Sequence, residues 1–290
     1  MNQFILYLIL FFFGASLGSF LNVLATRYNP DKFLFSKKVI GGRSHCDYCG
    51  AQLRWYELIP VFSYLWQLGK CRHCHHRLSI QYFLSEVLSG LIVVATPIFL
   101  EKLSFYHYSL ALAVLWTAFF LSLLLVSLID IRLNMIPDEL NIFIAILGLA
   151  IAIINAKFFN FLNGSLIGSY APIFDFHDNI FINRLVALAF CFIFFGGLII
   201  FSKGKVMGAG DLKLSVGLAL AFGWPEVMLL TFLAFILGSI VGLFLIINHK
   251  ATMKNYLPFA PFLALGGFLI YAYGIQMLVW YFQLFNIKFI

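Results

Sequence analysis

The sequence predicts an all-α polytopic membrane protein with about eight transmembrane helices, each needing roughly 20 apolar residues to cross a bilayer. Hydrophobic residues make up 62% of the chain and charged residues only 11%, a balance far from that of soluble globular proteins. The apolar residues also fall into long runs separated by short polar segments. The runs that we interpret as spans are 4–25, 80–100, 109–129, 139–154, 184–201, 211–222, 226–247 and 259–280.

The first run lies at the start of the chain, where a cleaved secretion signal would also lie. It has no basic residue before its apolar core, and membrane-like sequence continues after Gly14, Ala15 and Ser16. These features are typical of a retained span. We therefore interpret residues 1–25 as the first transmembrane helix.

The distribution of lysine and arginine predicts the orientation of the spans. With the loop 26–79 in the cytoplasm and the spans alternating, the cytoplasmic side holds 15 basic residues and the outer side four. The N-terminus is then outside, and Asp130 and Asp211 both lie at the cytoplasmic face. The net charge of +7 is accounted for in this way, and no basic–aromatic platform for bases is present, so we predict no nucleic-acid binding.

Residues 26–79 are predicted to form a small cytosolic zinc-binding domain between helices 1 and 2. Two CxxC pairs, Cys46/Cys49 and Cys71/Cys74, can together supply four thiolates to a closed, structural zinc site. Two disulfides are the alternative, which a reducing cytosol disfavours. The nearby histidines could replace a cysteine, although four cysteines already suffice; they are His45, His73, His75 and His76. We interpret Cys191, alone in an apolar run, as a buried small residue.

The remaining residues, 80–290, are predicted to form a seven-helix membrane domain that carries an aspartic protease site. Asp130 ends the apolar run SLLLVSLID, and Asp211 follows the glycines of VMGAGDLK. Carboxylates at this depth are costly, so they indicate function. Two of them on one face of the membrane favour peptide hydrolysis, in which one acts as base and the other as acid. Gly208 and Gly210 would let the backbone approach the substrate or the other aspartate closely.

The helix macrodipole predicts a division of labour between the two aspartates. Asp130 ends its own helix, where negative charge is disfavoured, whereas Asp211 begins one and has Lys213 nearby. This makes Asp211 the base and Asp130 the acid. Arg132 has the opposite effect, because its positive charge could stabilise Asp130 as an anion. Asp138 is a rival for the first catalytic position, but its place after Ile136–Pro137 favours an N-cap of the fourth span.

Another acid, Glu86, lies near the cytoplasmic end of the second span. It could anchor a basic side chain, but intramembrane acids usually have a function, so we favour a substrate-binding role.

With these residues in hand, the chain resembles the type IV prepilin peptidases, bifunctional leader peptidase/N-methyltransferases of the GxGD aspartic protease family. The matching segments occur in order along nearly the whole chain: GSFLNV (18–23), the CxxCG knuckle, LIPVFSYLWQLGKCRHC (58–74), IDIRLNMIPDEL (129–140), MGAGDLKL (207–214) and PFAPFLALGG (258–267). A GxGD motif alone would be weak evidence for this family, whereas the whole set of motifs in this order is specific to it.

The resemblance implies a multi-pass enzyme of the bacterial inner membrane, serving type IV pili or type II secretion. It would remove the short basic leader of prepilins and pseudopilins by a cut between a glycine and a phenylalanine, and would methylate the new N-terminus with S-adenosylmethionine. Asn22 and the zinc loop would then lie near the methyl donor. A peptidase without methyltransferase activity, a transporter and a scaffold protein remain alternatives, but no internal repeat supports transport. The sequence makes no prediction of oligomeric state.

Overall fold

The computed structural model describes residues 3–31, 33–34, 36–46, 48–103, 110–158, 166, 179–205, 207–249 and 256–284. Apart from a 3-10 turn at Trp55–Leu58, the regular elements in these ranges are α-helices. They are α1 Gln3–Arg27, α2 Lys37–Ile40, α3 Phe62–Trp66, α4 Ile80–Leu103, α5 Leu110–Leu133, α6 Asp138–Phe158, α7 Ile180–Ser202, α8 Ala209–Phe222, α9 Glu226–Ile247 and α10 Ala260–Leu284.

The described residues contain seven helices that are long and apolar enough to cross a membrane, which makes the chain a multi-pass membrane protein. The predicted sixth span, 211–222, is present as α8. It has only 14 residues and rises about 21 Å, less than the roughly 30 Å of a hydrocarbon core. The predicted helical class is confirmed, with α8 as a shorter eighth element in the membrane domain.

The chain divides into two compact units, residues 1–97 and residues 98–290. In the first unit, α1 and α4 pack closely through small residues. A Cβ added to Gly14 would lie 2.8 Å from the carbonyl oxygen of Ser89, and one added to Gly18 would lie 2.5 Å from that of Ser85. Glycines four residues apart therefore allow the two backbones to approach each other, as is common between membrane helices.

The second unit is built around α5, which is buried along most of its length. Its aromatic side chains pack against those of α8 and α10, with Trp116 at the centre of the cluster. The ring centroid of Trp116 lies 5.1 Å from that of Phe222 and 4.8 Å from that of Tyr271. Helix α5 is thereby fixed against α8 and α10, the two helices whose N-termini contact the predicted aspartates.

Helices α6 and α8 make the most extensive contact of the second unit. The contact depends on two glycines. A Cβ on Gly148 would lie 2.7 Å from the carbonyl oxygen of Gly217, and one on Gly217 would lie 2.7 Å from Cγ2 of Ile144. Backbone therefore lies against backbone, and the position of α8 depends on both residues lacking a side chain.

Candidate active site

A cavity of about 750 Å³ opens in the second unit, and both predicted catalytic aspartates line it. The cavity is bounded by the ends of α5, α6 and α8, by α9, and by the segment that leads into α10. The lining residues are Asp130, Asn134, Met135, Ile136, Asp138, Gly204, Met207, Gly208, Gly210, Asp211, Lys213, Phe235, Gly238, Ser239, Tyr256, Leu257, Pro258 and Phe259. The structure thus brings together two carboxylates that are 81 residues apart in the sequence.

Asp130 lies in the last turn of α5 and is only 5% exposed. Its Oδ2 accepts a hydrogen bond from the backbone N–H of Ala260 at 3.1 Å, and the N–H of Phe259 also donates to the carboxylate. Ala260 is the first residue of α10. The carboxylate therefore caps the N-terminus of a second helix, where unpaired N–H groups and the helix dipole stabilise negative charge.

Asp211 is the third residue of α8, with Gly208 at the N-cap position. Its side chain accepts a hydrogen bond from the backbone N–H of Gly208, as the acidic member of a capping box does. Asp211 is half-buried. Each aspartate thus contacts the N-terminus of a helix, Asp211 that of its own helix and Asp130 that of α10.

The two carboxylates are close enough for the charge of Asp130 to act on Asp211. Two acids held together with limited access to water cannot both ionise cheaply, and such a pair can share one proton. The roles predicted from the sequence, Asp211 as base and Asp130 as acid, depend only on the dipole of the helix that carries each residue. Because Asp130 also caps α10, the dipole argument no longer separates the two.

Asp138 and Lys213 form an ion pair at the opening of the same cavity. The Nζ of Lys213 lies 2.7 Å from Oδ1 of Asp138, and their side chains are 51% and 66% exposed. Asp138, the predicted N-cap, is instead the first residue of α6 and so lies one position inside the helix, and the carbonyl of Pro137 accepts the N–H of Asn141. Lys213 therefore donates to the rival acid, whereas its position in the sequence predicts a place beside Asp211.

The two glycines of the GxGD motif line the cavity with backbone atoms. Within the described part of the chain, a Cβ on Gly208 would meet no atom closer than 3.9 Å. A Cβ on Gly210 would lie 3.4 Å from Cβ of Ile136, an ordinary contact. Neither glycine has a positive φ. Glycine at these positions leaves room in the cavity and is not required by the backbone conformation.

In the first unit, the four predicted cysteines form one cluster. Their sulfur atoms all lie within 4.8 Å of one another, and none of the four histidines belongs to the group. The Sγ atoms of Cys46 and Cys74 are 3.9 Å apart. Tetrahedral zinc with Zn–S distances near 2.3 Å separates its sulfurs by about 3.8 Å, so the cluster fits a zinc ion. All the cysteines are free thiols, which argues against the disulfide alternative.

The two CxxC pairs have the same backbone geometry. In each, the first cysteine donates its N–H to the carbonyl five residues later, Cys46 to Ala51 at 3.0 Å and Cys71 to His76 at 2.9 Å. The N–H of Cys74 lowers the pKa of the Cys71 thiol to about 7, whereas burial and the neighbouring cysteines raise the pKa of the Cys74 thiol to about 11. The structure supplies two knuckles of the same backbone geometry that present their sulfur atoms to one ion.

Glu86 and Asn22 also belong to the first unit. Oε2 of Glu86 accepts the backbone N–H of Val61 at 2.7 Å, so its partner there is backbone and not the basic side chain considered in the sequence analysis. Asn22 is fully buried, and its Oδ1 accepts a hydrogen bond from Nε2 of Gln81 at 3.1 Å. Among the described residues, the Nδ2 of Asn22 has no acceptor.

Sequence reasoning missed the part of the cavity wall that precedes α10. Tyr256, Leu257, Pro258 and Phe259 line the cavity, and the N–H groups of Phe259 and Ala260 bind Asp130. Pro258 and Phe259 were named only within a segment that resembles the family, 258–267, and Tyr256 and Leu257 were not singled out. The available signal was Pro258, since proline commonly precedes or begins a helix and so marks an N-terminus with free N–H groups.

Comparison with known proteins identifies the family. Residues 12–100 match the bacterial peptidase A24 N-terminal domain, and residues 117–243 match the type IV leader peptidase family. Relatives named prepilin leader peptidase/N-methyltransferase include that of Dichelobacter nodosus, 32% identical over 235 residues, which covers 81% of this chain and 72% of the relative. That of Bacillus subtilis (strain 168) is 28% identical over 277 residues, covering 95% of this chain and 98% of the relative.

No solved structure matches the chain significantly. The resemblance predicted from the motifs is nevertheless confirmed by the two family matches, which together extend from the first span to α9. The chain belongs to the type IV leader peptidase family.

Proposed function

We propose that this protein removes the leader from type IV prepilins and pseudopilins, and then methylates the new N-terminus with S-adenosylmethionine. The observation that carries the peptidase proposal is the shared cavity, in which Asp130 and Asp211 line one space from two different helices. The printed names of the relatives support both activities.

In the proposed hydrolysis, one aspartate is ionised and the other protonated. The ionised carboxylate takes a proton from a water molecule, whose oxygen attacks the scissile carbonyl carbon. The protonated carboxyl donates its proton to the carbonyl oxygen, so that a neutral tetrahedral intermediate forms. When the C–N bond breaks, the leaving nitrogen receives a proton from the first aspartate and the second regains its own, which restores the shared proton of the pair.

The helix N-termini that bind the carboxylates orient them for this chemistry. Asp130 accepts N–H groups of Phe259 and Ala260, and Asp211 accepts that of Gly208. Because backbone donors cannot turn away as a side chain can, each carboxylate is held in one orientation before substrate binds. We assign the shared proton to the pair and not to either aspartate alone.

The rest of the cavity suits a hydrophobic residue next to the cut. Met207, Phe235, Leu257 and Phe259 supply apolar surface beside the aspartates. The family resemblance implies a phenylalanine on the C-terminal side of the cut, at the start of an apolar helix. Such a helix would already lie in the bilayer, so a site at the membrane edge would need no extraction of the substrate.

The cysteine cluster would hold zinc in a structural role. Four thiolates complete a tetrahedral site and leave no open position for a substrate or a water molecule. The ion would cross-link two knuckles of a segment that is too short to build much hydrophobic core. No hydrolytic step requires it.

S-adenosylmethionine would supply an electrophilic methyl group to the new N-terminal amine. In the first span, Asn22 is the residue that could contact the methyl donor. Its Nδ2 is buried and has no acceptor among the described residues, so it could donate to a carboxylate or carbonyl of a ligand. The orientation that we propose has the N-terminus outside and the aspartates at the cytoplasmic face, as the 15-to-four distribution of basic residues indicates.

Intact-mass analysis of a purified prepilin incubated with the protein in detergent tests this function. We expect loss of the leader with the protein alone, and the addition of one methyl group only when S-adenosylmethionine is also present. Cleavage without methylation would leave a peptidase that lacks the second activity. If a folded, zinc-loaded protein leaves the prepilin uncut, the proposal is wrong.

A further inference from the structure

The segment between the two CxxC pairs reaches far along the first membrane helix. Helix α1 has 25 residues, and its midpoint is Ala15. The ring of Phe62 in α3 stacks on that of Phe12, with centroids 5.6 Å apart and planes at 17°. Phe12 lies beyond the midpoint, about 22 Å from Arg27 at the loop end of α1. A side chain from the predicted cytosolic domain therefore lies beside the middle of a membrane span.

A second set of contacts places the same segment along α4. Val61 donates its N–H to Glu86, about 9 Å inside the start of α4 at Ile80, and the rings of Tyr64 and Phe83 lie 5.5 Å apart. Nearer the end of the segment, the carbonyl of Gly69 accepts the N–H of Leu78 at 2.7 Å. The chain thus runs antiparallel to α4, from the level of Glu86 back to the start of that helix.

The composition of the segment suits a hydrocarbon environment. Residues 58–69 read LIPVFSYLWQLG and contain no charged side chain. Phe62 is 58% exposed, Leu65 is 54% exposed and Trp66 is 83% exposed to the surroundings. At the depth that Phe12 and Glu86 set for Phe62 and Val61, apolar side chains that point away from the protein are suited to contact with acyl chains.

Most backbone N–H groups of the segment have an internal partner, which is what backbone in lipid needs. Phe62 donates to the carbonyl of Pro60 at 2.7 Å, and Ser63 donates to that of Ile59 at 2.9 Å. Further donors with backbone acceptors are Leu65, Gln67, Leu68, Gly69 and Lys70. Pro60 has no N–H to satisfy. The N–H of Val61 has a side-chain acceptor, the carboxylate of Glu86.

Val61 has a φ of 67°, which is strained for a β-branched residue and closes a tight γ-turn from Pro60 to Phe62. The Glu86 carboxylate holds this turn, and the hydroxyl of Ser19 on α1 hydrogen-bonds the same carboxylate. Glu86 therefore joins the turn, α1 and α4 at one buried point.

We propose that residues 58–69 form a re-entrant segment, which enters the bilayer beside α1 and α4 with Phe62, Leu65 and Trp66 in contact with lipid acyl chains and with Glu86 as its internal anchor. This inference does not depend on the peptidase activity. It gives Glu86 a positioning role, and it divides the loop 26–79 into a membrane-embedded part and a part that carries the cysteine knuckles.

Hydroxyl-radical footprinting of the full chain in lipid nanodiscs tests the proposal. Trp66 and Tyr48 are 83% and 68% exposed in the protein itself, so only the membrane distinguishes them. We expect Trp66 to be oxidised at least about tenfold more slowly than Tyr48, because water is nearly absent from hydrocarbon. Comparable oxidation of the two residues would overturn the proposal, since indole is intrinsically at least as reactive as phenol.

A second measurement identifies what covers Trp66. Lipids with brominated acyl chains quench the fluorescence of indoles that they touch, so the wild type should be quenched more strongly than Trp66→Phe. If Trp66 is protected from oxidation but its removal leaves the quenching unchanged, polypeptide covers this face and the lipid assignment is wrong.

The anchor is tested by two substitutions of Glu86 with the same footprinting readout. Glu86→Gln keeps an acceptor oxygen for Val61, and we expect Trp66 to stay protected. Glu86→Ala removes the acceptor, and we expect oxidation of Trp66 to rise towards that of Tyr48. Unchanged protection in a folded Glu86→Ala protein, or equal loss of protection in both variants, would refute the anchoring role.

Discussion

The contact between α6 and α8 offers a test of how the backbone positions the aspartates. A Cβ on Gly148 would lie 2.7 Å from the carbonyl oxygen of Gly217 and 3.0 Å from the nitrogen of Ala221. Both neighbours are backbone atoms, which cannot rotate away. Ordinary contact begins near 3.4 Å, so Gly148→Ala must separate the helices by at least about 0.7 Å.

That displacement would act on the dyad because α8 carries Asp211 in its first turn. We expect Gly148→Ala to lower the free energy of unfolding by about 1–3 kcal/mol, the usual cost of overpacking. Misplacement of a catalytic group by about 1 Å can lower the rate by roughly 100-fold, so prepilin cleavage should fall by tens of fold. Single-turnover cleavage and thermal unfolding in the same detergent measure the two effects.

Gly196→Ala is the matched control, because a Cβ at that position in α7 would meet no atom of the described residues within 4 Å. The control should retain both the stability and the cleavage rate of the wild type, since alanine is the better helix former. If Gly148→Ala behaved like the control, the close approach of α6 and α8 would not position Asp211 and our reasoning would be refuted.

Three further substitutions test the remaining contacts. Asp130→Ala removes the cap on Ala260 and should unfold at a lower temperature than Asp130→Asn, by the roughly 2–4 °C that corresponds to about 1 kcal/mol; equal melting temperatures would rule out the cap. Cys71→Ser should lower the zinc content measured by atomic emission, and a full zinc complement in the variant would show that another ligand set binds the metal. Lys213→Met breaks an exposed ion pair with Asp138 and should change the unfolding free energy by no more than about 1 kcal/mol; a larger loss by denaturant titration would mean that the pair is not exposed in the bilayer.

The elements that depend on local sequence were predictable. Apolar runs gave the membrane helices, because the bilayer imposes one length and one polarity on each span. The spacing of Cys46, Cys49, Cys71 and Cys74 predicted a single cluster, since four thiolates can satisfy one tetrahedral ion. Asp130 and Asp211 were distinguished by being acids at the ends of apolar helices, where an acid without a role is costly.

The contacts that join distant parts of the chain were not predictable from one sequence. Asp130 caps the helix that begins at Ala260, which is 130 residues away in the sequence, so no local pattern relates the two residues. Lys213 was placed beside Asp211 by proximity in sequence, but the fold brings it to Asp138. Residues 58–69 are shorter than a span and are interrupted by Pro60, so the apolar pattern did not separate them from the polar loop around them.

The proposal that Asp130 and Asp211 act as a catalytic pair is tested most directly by single-turnover cleavage of a purified prepilin. The wild type should be compared with Asp130→Asn, Asp211→Asn and Asp138→Asn, each shown to be folded by its thermal transition. Asn keeps the shape and the acceptor of each side chain but cannot transfer the proton. We predict that the first two variants lose at least about 10²–10⁴-fold in rate, the usual contribution of a general acid or base, and that Asp138→Asn stays within about tenfold of the wild type. Near-normal cleavage by Asp130→Asn or Asp211→Asn, or a selective loss in Asp138→Asn, would contradict the account.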